Sequence, residues 1–174
     1  MRWNKILLFF VVYSVAMTCL AESWTITKAP NNAQAKKAAK ISNDSGDILY
    51  LWRSFNEEGV HLYGELQLAG EKTFSNKTPR YQIDQGLLIK LNRIPLEPFK
   101  SKEGWLRITE KMATWKLYEA TETELSEEEP FYHWLVGERL RFIYFDLNGI
   151  EKTIEFSLTA STKSIASVTG ISTE

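Results

Sequence analysis

The segment Val60–Leu68 alternates between apolar or small residues and polar residues with a period of two. Its even positions carry Val, Leu, Gly, Leu and Leu, whereas its odd positions carry His61, Tyr63, Glu65 and Gln67. A period of two places successive side chains on opposite faces of an extended strand. The segment is therefore predicted to be a half-buried antiparallel strand, with its leucines in the core and His61, Tyr63 and Glu65 on a solvated face.

This strand is predicted to form a hairpin with the segment before it. Asp47–Phe55 is dense in apolar, aromatic and β-branched residues, and Asn56–Gly59 separates the two arms as a four-residue turn. A second hairpin is predicted from Leu140–Phe145 and Ile150–Leu158. Between these arms, an Asn-Gly pair supplies the positive φ angles of a tight turn, and the apolar residues of the second arm, including Ile150, are expected on one face.

Shorter extended segments bounded by turn residues are also predicted strands: Trp24–Lys28, Tyr81–Ile83, Leu87–Leu91, Trp105–Thr109 and Thr114–Glu119. Asp84-Gln85-Gly86 suits a tight turn because Asp and Gly both tolerate turn conformations. The polar, alanine-rich segment Asn31–Lys40 is expected to be a loop or a short helical turn.

A change of period at Ser126 predicts a short helix over about residues 127–136. Ser126–Glu129 has the sequence of a capping box, and apolar residues follow at helical spacing. Gly137 stands where a left-handed residue commonly ends a helix. A last short helix is predicted near Ser161–Val168, closed by a glycine.

Roughly eight short strands with brief helical insertions indicate an all-β fold. The expected architecture is an antiparallel β-sandwich or partly closed barrel, with one or two short helices near the C-terminus. No repeat or linker divides residues 22–174, which are predicted to form one domain. The five tryptophans of this region are interpreted as packing residues, because large aromatics are mostly buried. Three or more exposed together would instead indicate a sugar or peptide platform.

The N-terminal segment has the organisation of a secretory signal peptide. Met1–Lys5 is basic, and Ile6–Leu20 is an uncharged apolar run shorter than the ~20 residues that span a bilayer. Small residues at Cys19 and Ala21 suit cleavage before Glu22. Residues 1–21 are therefore predicted to be removed, leaving a periplasmic or secreted protein without a membrane span. An uncleaved anchor and a lipoprotein modified at Cys19 are the alternatives.

Composition narrows the classes of function. The 21 basic residues balance 22 acidic ones, which argues against an electrostatically driven nucleic-acid binder. The one cysteine, Cys19, lies in the predicted signal peptide, so the exported chain would fold without a disulfide, as a core of this size permits. The chain lacks the common serine-hydrolase, zinc-protease, CxxC and phosphate-loop motifs. No cofactor and no metal are expected.

Two histidines could act as general bases near neutral pH. His61, on the expected polar face beside Tyr63 and Glu65, is interpreted as a solvated sheet residue, and His133 as a helix-surface residue. Asp84 could be half of a glycosidase acid pair, but it equally suits its turn. No catalytic residue is assigned.

An acidic run extends from Glu119 to Glu129. It lacks the Asp/Asn-and-Gly spacing of a calcium loop and is interpreted as a solvated loop leading into the capped helix. Two of its members complete the candidate binding surface, which consists of His61, Tyr63, Glu65, Glu122 and Glu124.

Three segments carry a resemblance to a known family: the strand end Tyr81–Asp84, the strand start Gly137–Phe142, and Ile154–Leu158 before the C-terminal helix. Their order resembles that of the invasion-associated locus B family of secreted bacterial proteins, over most of residues 24–171. Members often carry cysteines and a Gly-aromatic pair after the last strand, whereas this chain has Thr159-Ala160-Ser161 there. The resemblance implies a periplasmic or exported β-sandwich without an assigned catalytic site.

Three functions are consistent with these features. The leading hypothesis is a non-catalytic exported β-sandwich that binds another protein or an envelope component. The second is a periplasmic inhibitor or immunity protein, in which an acidic loop at Glu122–Glu129 meets the basic cleft of a wall-degrading enzyme. The third is an envelope hydrolase, which would require His61 or a carboxylate pair at the bottom of a pocket.

Overall fold

The structure, a computed structural model, describes residues 23–30, 35–56, 59–91, 106–120 and 131–171. These residues form two antiparallel β-sheets and two short helices. Within these ranges neither sheet closes into a barrel, so the architecture is all-β and sandwich-like. This confirms the predicted fold class. The predicted signal peptide lies outside the described residues.

The larger sheet has six strands. Their bounds are β1 Thr25–Thr27, β2 Ala38–Ser42, β3 Ile48–Asn56, β4 Gly59–Gln67, β7 Leu106–Ile108 and β8 Met112–Ala120. In space they follow the order β1-β2-β3-β4-β8-β7, and every neighbouring pair is antiparallel. The predicted hairpin is the β3–β4 pair, in which Asn56 pairs with Gly59 and Ile48 with Gln67.

The smaller sheet has four strands. Their bounds are β5 Arg80–Ile83, β6 Ile89–Lys90, β9 Arg139–Phe145 and β10 Glu151–Ser157. The order β10-β9-β5-β6 makes β10 an edge strand. The second predicted hairpin is the β9–β10 pair.

Strand β2 corrects the expectation that Asn31–Lys40 is a loop or helical turn. Ala38 and Ala39 are completely buried between β1 and β3, which pair with β2 on either side. Alanine has a low intrinsic preference for strands, so the local sequence carries no strand signal. The neighbouring strands satisfy the backbone groups of β2 and override that preference.

The main core lies between the two sheets. Its largest fully buried side chains include Trp115, Trp134, Phe131, Phe142 and Phe156. Trp115 fits because Gly64, the small residue of the alternating pattern, faces it across the β4–β8 pair: a Cβ at position 64 would come within 2.4 Å of Trp115 Cζ2. The predicted core face of β4 is confirmed, since Leu62 and Leu66 are buried.

A second, smaller cluster lies on the outer face of the larger sheet. It contains Ala29, Ala35, Ala38 and Trp52, with Tyr50, Tyr63 and Val168 packed against it. Val168 belongs to helix α2, Ser161–Thr169. The outer face of the larger sheet is therefore partly covered.

Helix α1, Tyr132–Val136, contains the final residues of the predicted 127–136 helix. The capping box at Ser126–Glu129 lies outside the described residues. The prediction that Gly137 is left-handed is wrong, because its φ and ψ are −70° and 164°. Glycine is needed there for space: a Cβ would come within 2.4 Å of Ile83 Cγ2 and 2.6 Å of His133 O. The predicted C-terminal helix is confirmed as α2.

The β9–β10 turn differs from its prediction in one detail. Of the Asn-Gly pair, Gly149 alone has a positive φ, at 78°. Asp146 fixes the turn by accepting hydrogen bonds from Asn148 N and Ile150 N, both at 2.9 Å. Ile150 was expected on the core face, but it is 53% exposed because it lies in the turn beyond the inter-sheet layer.

In the described part of the chain, no helix combines the length and apolar character that a bilayer span requires.

Candidate functional site

The structure places three of the predicted site residues together. His61, Tyr63 and Glu65 share the outer face of β4, opposite Ser54, Trp52 and Tyr50 of β3. The predicted solvation of this face is nevertheless wrong, because His61 and Glu65 are each only 2% exposed. The interpretation of His61 as a solvated sheet residue is therefore wrong.

The Glu65 carboxylate is held by hydrogen bonds inside the protein. It accepts one from Gln67 Nε2 at 2.7 Å and one from Thr114 Oγ1 at 3.0 Å. Burial raises the pKa of the neighbouring Tyr50 hydroxyl, and the negative charge of Glu65 raises that pKa further. These contacts satisfy a buried acid and make Glu65 part of the sheet's internal structure.

Aromatic rings extend this buried face. Tyr63 stacks on Trp52 with ring centroids 5.8 Å apart, and His61 meets Tyr63 edge-on at 6.4 Å. Four of the five tryptophans beyond residue 21 are buried: Trp24, Trp52, Trp115 and Trp134. The packing interpretation is confirmed for these four, while Trp105 lies outside the described residues.

The remaining predicted site residues have separate outcomes. Glu122 and Glu124 lie outside the described residues, so their role in a binding surface stays a prediction. His133 is exposed on α1, as expected. The Asp84 carboxylate accepts hydrogen bonds from Glu138 N at 3.2 Å and Arg139 N at 2.9 Å. Asp84 therefore joins its turn to the start of β9, which favours the turn interpretation over an acid pair.

A cleft of about 610 Å³ opens at one end of the sandwich, and we call it the Asp47 cleft. Its walls come from three distant parts of the chain: the β2–β3 turn, the segment after β4 and the β9–β10 hairpin. The residues that line it are Asn43, Asp44, Ser45, Asp47, Glu71, Lys72, Thr73, Tyr144, Asp146, Asn148, Lys152, Thr153, Ile154 and Glu155.

Asp47 anchors this cleft. Its carboxylate is fully buried and accepts hydrogen bonds from Ala69 N at 2.9 Å, Lys72 Nζ at 2.6 Å and Asn43 Nδ2 at 3.2 Å. Asp47 N in turn donates to Asn43 Oδ1 at 2.9 Å, which closes the turn between β2 and β3. Asn43 Nδ2 also reaches Glu155 O of the smaller sheet at 3.3 Å. One carboxylate thus fixes the β2–β3 turn and the segment after β4, and Asn43 connects them to the second sheet.

Tyr144 of β9 also lines the cleft. Burial raises the pKa of its hydroxyl above the ordinary value, and the charges of Asp47 and Asp146 raise it further. Asp146 is held by its turn and lies 3.7 Å from Lys152 Nζ. Asp47 and Asp146 are therefore already engaged by donors of the protein.

The charge of the cleft is unbalanced. Five of its lining residues are acidic, namely Asp44, Asp47, Glu71, Asp146 and Glu155, whereas two are lysines, Lys72 and Lys152. Such a fixed and mainly acidic surface suits the recognition of a positively charged ligand.

In the described part of the chain, no group of three His, Cys, Asp or Glu side chains is arranged to hold a metal ion.

A second groove, of about 1160 Å³, runs along the other end of β10, with Arg139 and Arg141 on its wall. Glu155 lies between these arginines, 3.8 Å from Arg139 Nη1 and 3.4 Å from Arg141 Nε. All three side chains are largely exposed, so these ion pairs contribute little to stability. His61 lines neither this groove nor the Asp47 cleft.

Sequence reasoning did not identify the Asp47 cleft. A local signal existed in Asn43–Asp47, five consecutive polar or small residues with two acids, but that composition is equally typical of an ordinary turn. The partners Lys72 and Tyr144 are distant in the chain, so their convergence is a property of the folded state.

Comparison with known proteins identifies no relative. No family model matches the chain, and neither the curated proteins nor the solved structures contain a match.

Proposed function

We propose that this protein is an exported, non-catalytic β-sandwich that binds another protein or an envelope component through the Asp47 cleft. Export rests on the signal-peptide organisation of residues 1–21, and a distant relation to the invasion-associated locus B family rests on the motifs quoted above. Both are inferences from sequence and are part of the proposal.

The observation that carries the proposal is the fixed polar wall of the cleft. The Asp47 carboxylate has three donors, and Asp146 accepts two backbone hydrogen bonds in its turn. A general acid or base must exchange its proton with the substrate, whereas these carboxylates already serve the fold. Rigid charged groups around an open cleft favour binding, because little side-chain freedom is lost when a ligand arrives.

The hydrolase hypothesis receives less support from the same contacts. It required His61 or a carboxylate pair at the bottom of a pocket, and His61 lies on the buried outer face of β4. The inhibitor hypothesis depends on Glu122–Glu129, which lie outside the described residues, and it stays a prediction.

Site-specific photo-cross-linking in intact producing cells tests the proposed function. A photoreactive side chain at Asn148 would project from the cleft rim, and the backbone hydrogen bond from Asn148 N to Asp146 would remain. Lys163, exposed on α2, is the matched control position. We expect Asn148 to capture one reproducible species, in competition with unlabelled protein, and Lys163 to capture none.

Two results would contradict the proposal. Equal capture at Asn148 and Lys163 would indicate random collisions rather than a site. Recovery of wall fragments that the protein has shortened would indicate the hydrolase.

A further inference from the structure

Strand β10 lies at the edge of the smaller sheet and forms one wall of the Asp47 cleft. Leu158 N donates to Glu138 O and Asp146 N donates to Ile150 O at the two ends of the β9–β10 pair. In an antiparallel pair, the backbone groups of alternate residues point towards the partner strand. Counting in twos from these ends, the groups of Glu151, Thr153, Glu155 and Ser157 point away from β9.

The second half of this edge is already covered by the larger sheet. Asn43 Nδ2 donates to Glu155 O at 3.3 Å, and Trp24 Nε1 donates to Ser157 O at 3.0 Å. These bonds also confirm the direction in which the alternate backbone groups point. Asn43 of the β2–β3 turn and Trp24, the residue before β1, thus donate hydrogen bonds to the outward carbonyls there.

The first half of the edge is open. Glu151, Lys152 and Thr153 are all exposed. Among the described residues, no donor or acceptor bonds to the outward N–H and C=O groups of Glu151 and Thr153. Backbone groups in this arrangement are a template for an additional strand. Two large apolar side chains, Leu147 at 61% exposure and Ile150 at 53%, stand beside this open segment in the adjoining turn.

The charges around the open edge select the occupant. Two copies of β10 paired antiparallel about Thr153 would place Glu151 of one copy opposite Glu155 of the other, and like charges directly opposite are destabilising. Glu151 is already paired with Arg80 Nη2 at 2.6 Å, and Glu155 lies beside Arg139 and Arg141. The excess of acidic charge therefore lies on the side of the Asp47 cleft, where five acids stand against two lysines. A strand carrying Lys or Arg would place its cationic side chains against that acidic lining.

We propose that the open edge Glu151–Thr153 is a docking site for an extended segment of a partner protein that carries lysine or arginine side chains. The segment adds a fifth strand to the smaller sheet and directs its cationic side chains towards the Asp47 cleft. This inference rests on the proposed binding function and names the class of partner.

The first experiment uses a short synthetic peptide of alternating lysine and valine with blocked ends. Its binding to the purified protein is measured by fluorescence polarisation, and hydrogen exchange locates the protected amides. We expect the exchange of the Thr153 amide to slow about tenfold at saturation, because a backbone acceptor of the peptide accepts a hydrogen bond from its N–H.

Two control peptides separate strand addition from charge attraction. The first has methylated backbone nitrogens along its pairing edge and should bind about tenfold more weakly, and the second has glutamate in place of lysine and should bind more weakly still.

The matched variants are Thr153→Pro and Thr153→Ala. Proline removes the outward N–H and obstructs the path of an added strand, yet it is tolerated on an edge because that N–H makes no bond to β9. Alanine keeps the N–H. We expect Thr153→Pro to weaken peptide binding about tenfold or more, and Thr153→Ala to change it less than about twofold. If Thr153→Pro does not fold, the methylated peptide and the hydrogen exchange of the unmodified protein test strand addition in its place.

Three results would overturn the inference. The first is equal binding of the methylated and unmethylated peptides, and the second is protection of amides elsewhere while the Thr153 amide stays unprotected. The third is a dimer of the protein that Thr153→Pro abolishes.

Cross-linking in cells separates this inference from the proposed function. Undiminished capture of the same partner by the Thr153→Pro variant would leave the binding function standing and refute strand addition. Absence of any capture by the unmodified protein would refute the function itself.

Discussion

Lys72 Nζ donates a hydrogen bond to Asp47 Oδ2 at 2.6 Å and forms an ion pair with it, although only the lysine has access to solvent. The side chain of Asp47 is 1% exposed and that of Lys72 is 36% exposed. A buried acid of this kind is tolerated because each of its oxygens is bonded, Oδ1 to Ala69 N and Oδ2 to Lys72 and Asn43. This pair holds the β2–β3 turn against the segment after β4.

Replacing Asp47 with alanine should therefore destabilise the protein. The change leaves the Ala69 amide without its acceptor and removes the carboxylate partner of Lys72 and Asn43. We expect the free energy of unfolding to fall by about 3 kcal/mol. Urea unfolding followed by circular dichroism measures this. Asp44→Ala, at an exposed position of the same turn, is the control and should change stability by less than about 0.5 kcal/mol. Equal effects of the two substitutions would show that Asp47 does not anchor the cleft.

Gly64→Ala should overpack the main core. The added methyl group would lie 2.4 Å from Trp115 Cζ2, and both groups are on strands that cannot separate freely. We expect a loss of about 1 to 3 kcal/mol in the free energy of unfolding. A double-mutant cycle with Trp115→Leu tests the cause, since the penalty of Gly64→Ala should shrink once the indole is removed. An unchanged penalty would mean that the glycine is needed for another reason.

Ionisation of Tyr144 should lower the free energy of unfolding above about pH 10. Burial, Asp47 and Asp146 raise the pKa of this hydroxyl in the folded protein above the value of 10.0 that it has when unfolded. As pH rises through the unfolded value, the unfolded chain loses its proton first and the folded state loses relative stability. Below that pH the contribution is constant. Urea unfolding at neutral and alkaline pH should therefore show a smaller alkaline loss for Tyr144→Phe than for the unmodified protein. An equal loss in both proteins would show that folding does not raise the pKa of this hydroxyl.

The two histidines should differ in chemical reactivity. His61 is 2% exposed on the outer face of β4, whereas His133 is exposed on α1. Brief treatment with diethylpyrocarbonate should therefore modify His133 and spare His61, with peptide mass spectrometry identifying the site. The same treatment in urea is the control and should modify both. Rapid modification of His61 in the folded protein would restore the solvated face that the sequence predicts.

Much of the fold is predictable from local pattern, and the exceptions share a cause. The alternation in Val60–Leu68 correctly predicts a strand and its core face, because Leu62 and Leu66 must leave water wherever the strand packs. The same pattern fails for His61 and Glu65, because a polar face can be covered when its groups find partners such as Thr114. Strand β2 fails similarly, since its alanines become a strand only between β1 and β3.

The candidate site is harder to predict from local sequence pattern than the strands are. The Asn43–Asp47 turn carries a polar composition that fits many turns, and nothing local connects it with Tyr144 or with the edge of β10. Whether a strand is central or lies at an edge depends on which strands pair, and pairing is decided by contacts between segments distant in the chain.

The sequence by itself determined the all-β class, the two hairpins and the leucines that face the core, because side-chain periodicity and turn chemistry act between near neighbours. Only the tertiary structure decided that the sheets form a sandwich, that His61 and Glu65 are buried, and that Asp47, Lys72 and Tyr144 meet beside the open edge of β10. These features depend on which surfaces become covered when distant segments pack, and that information is not contained in any short stretch of the chain.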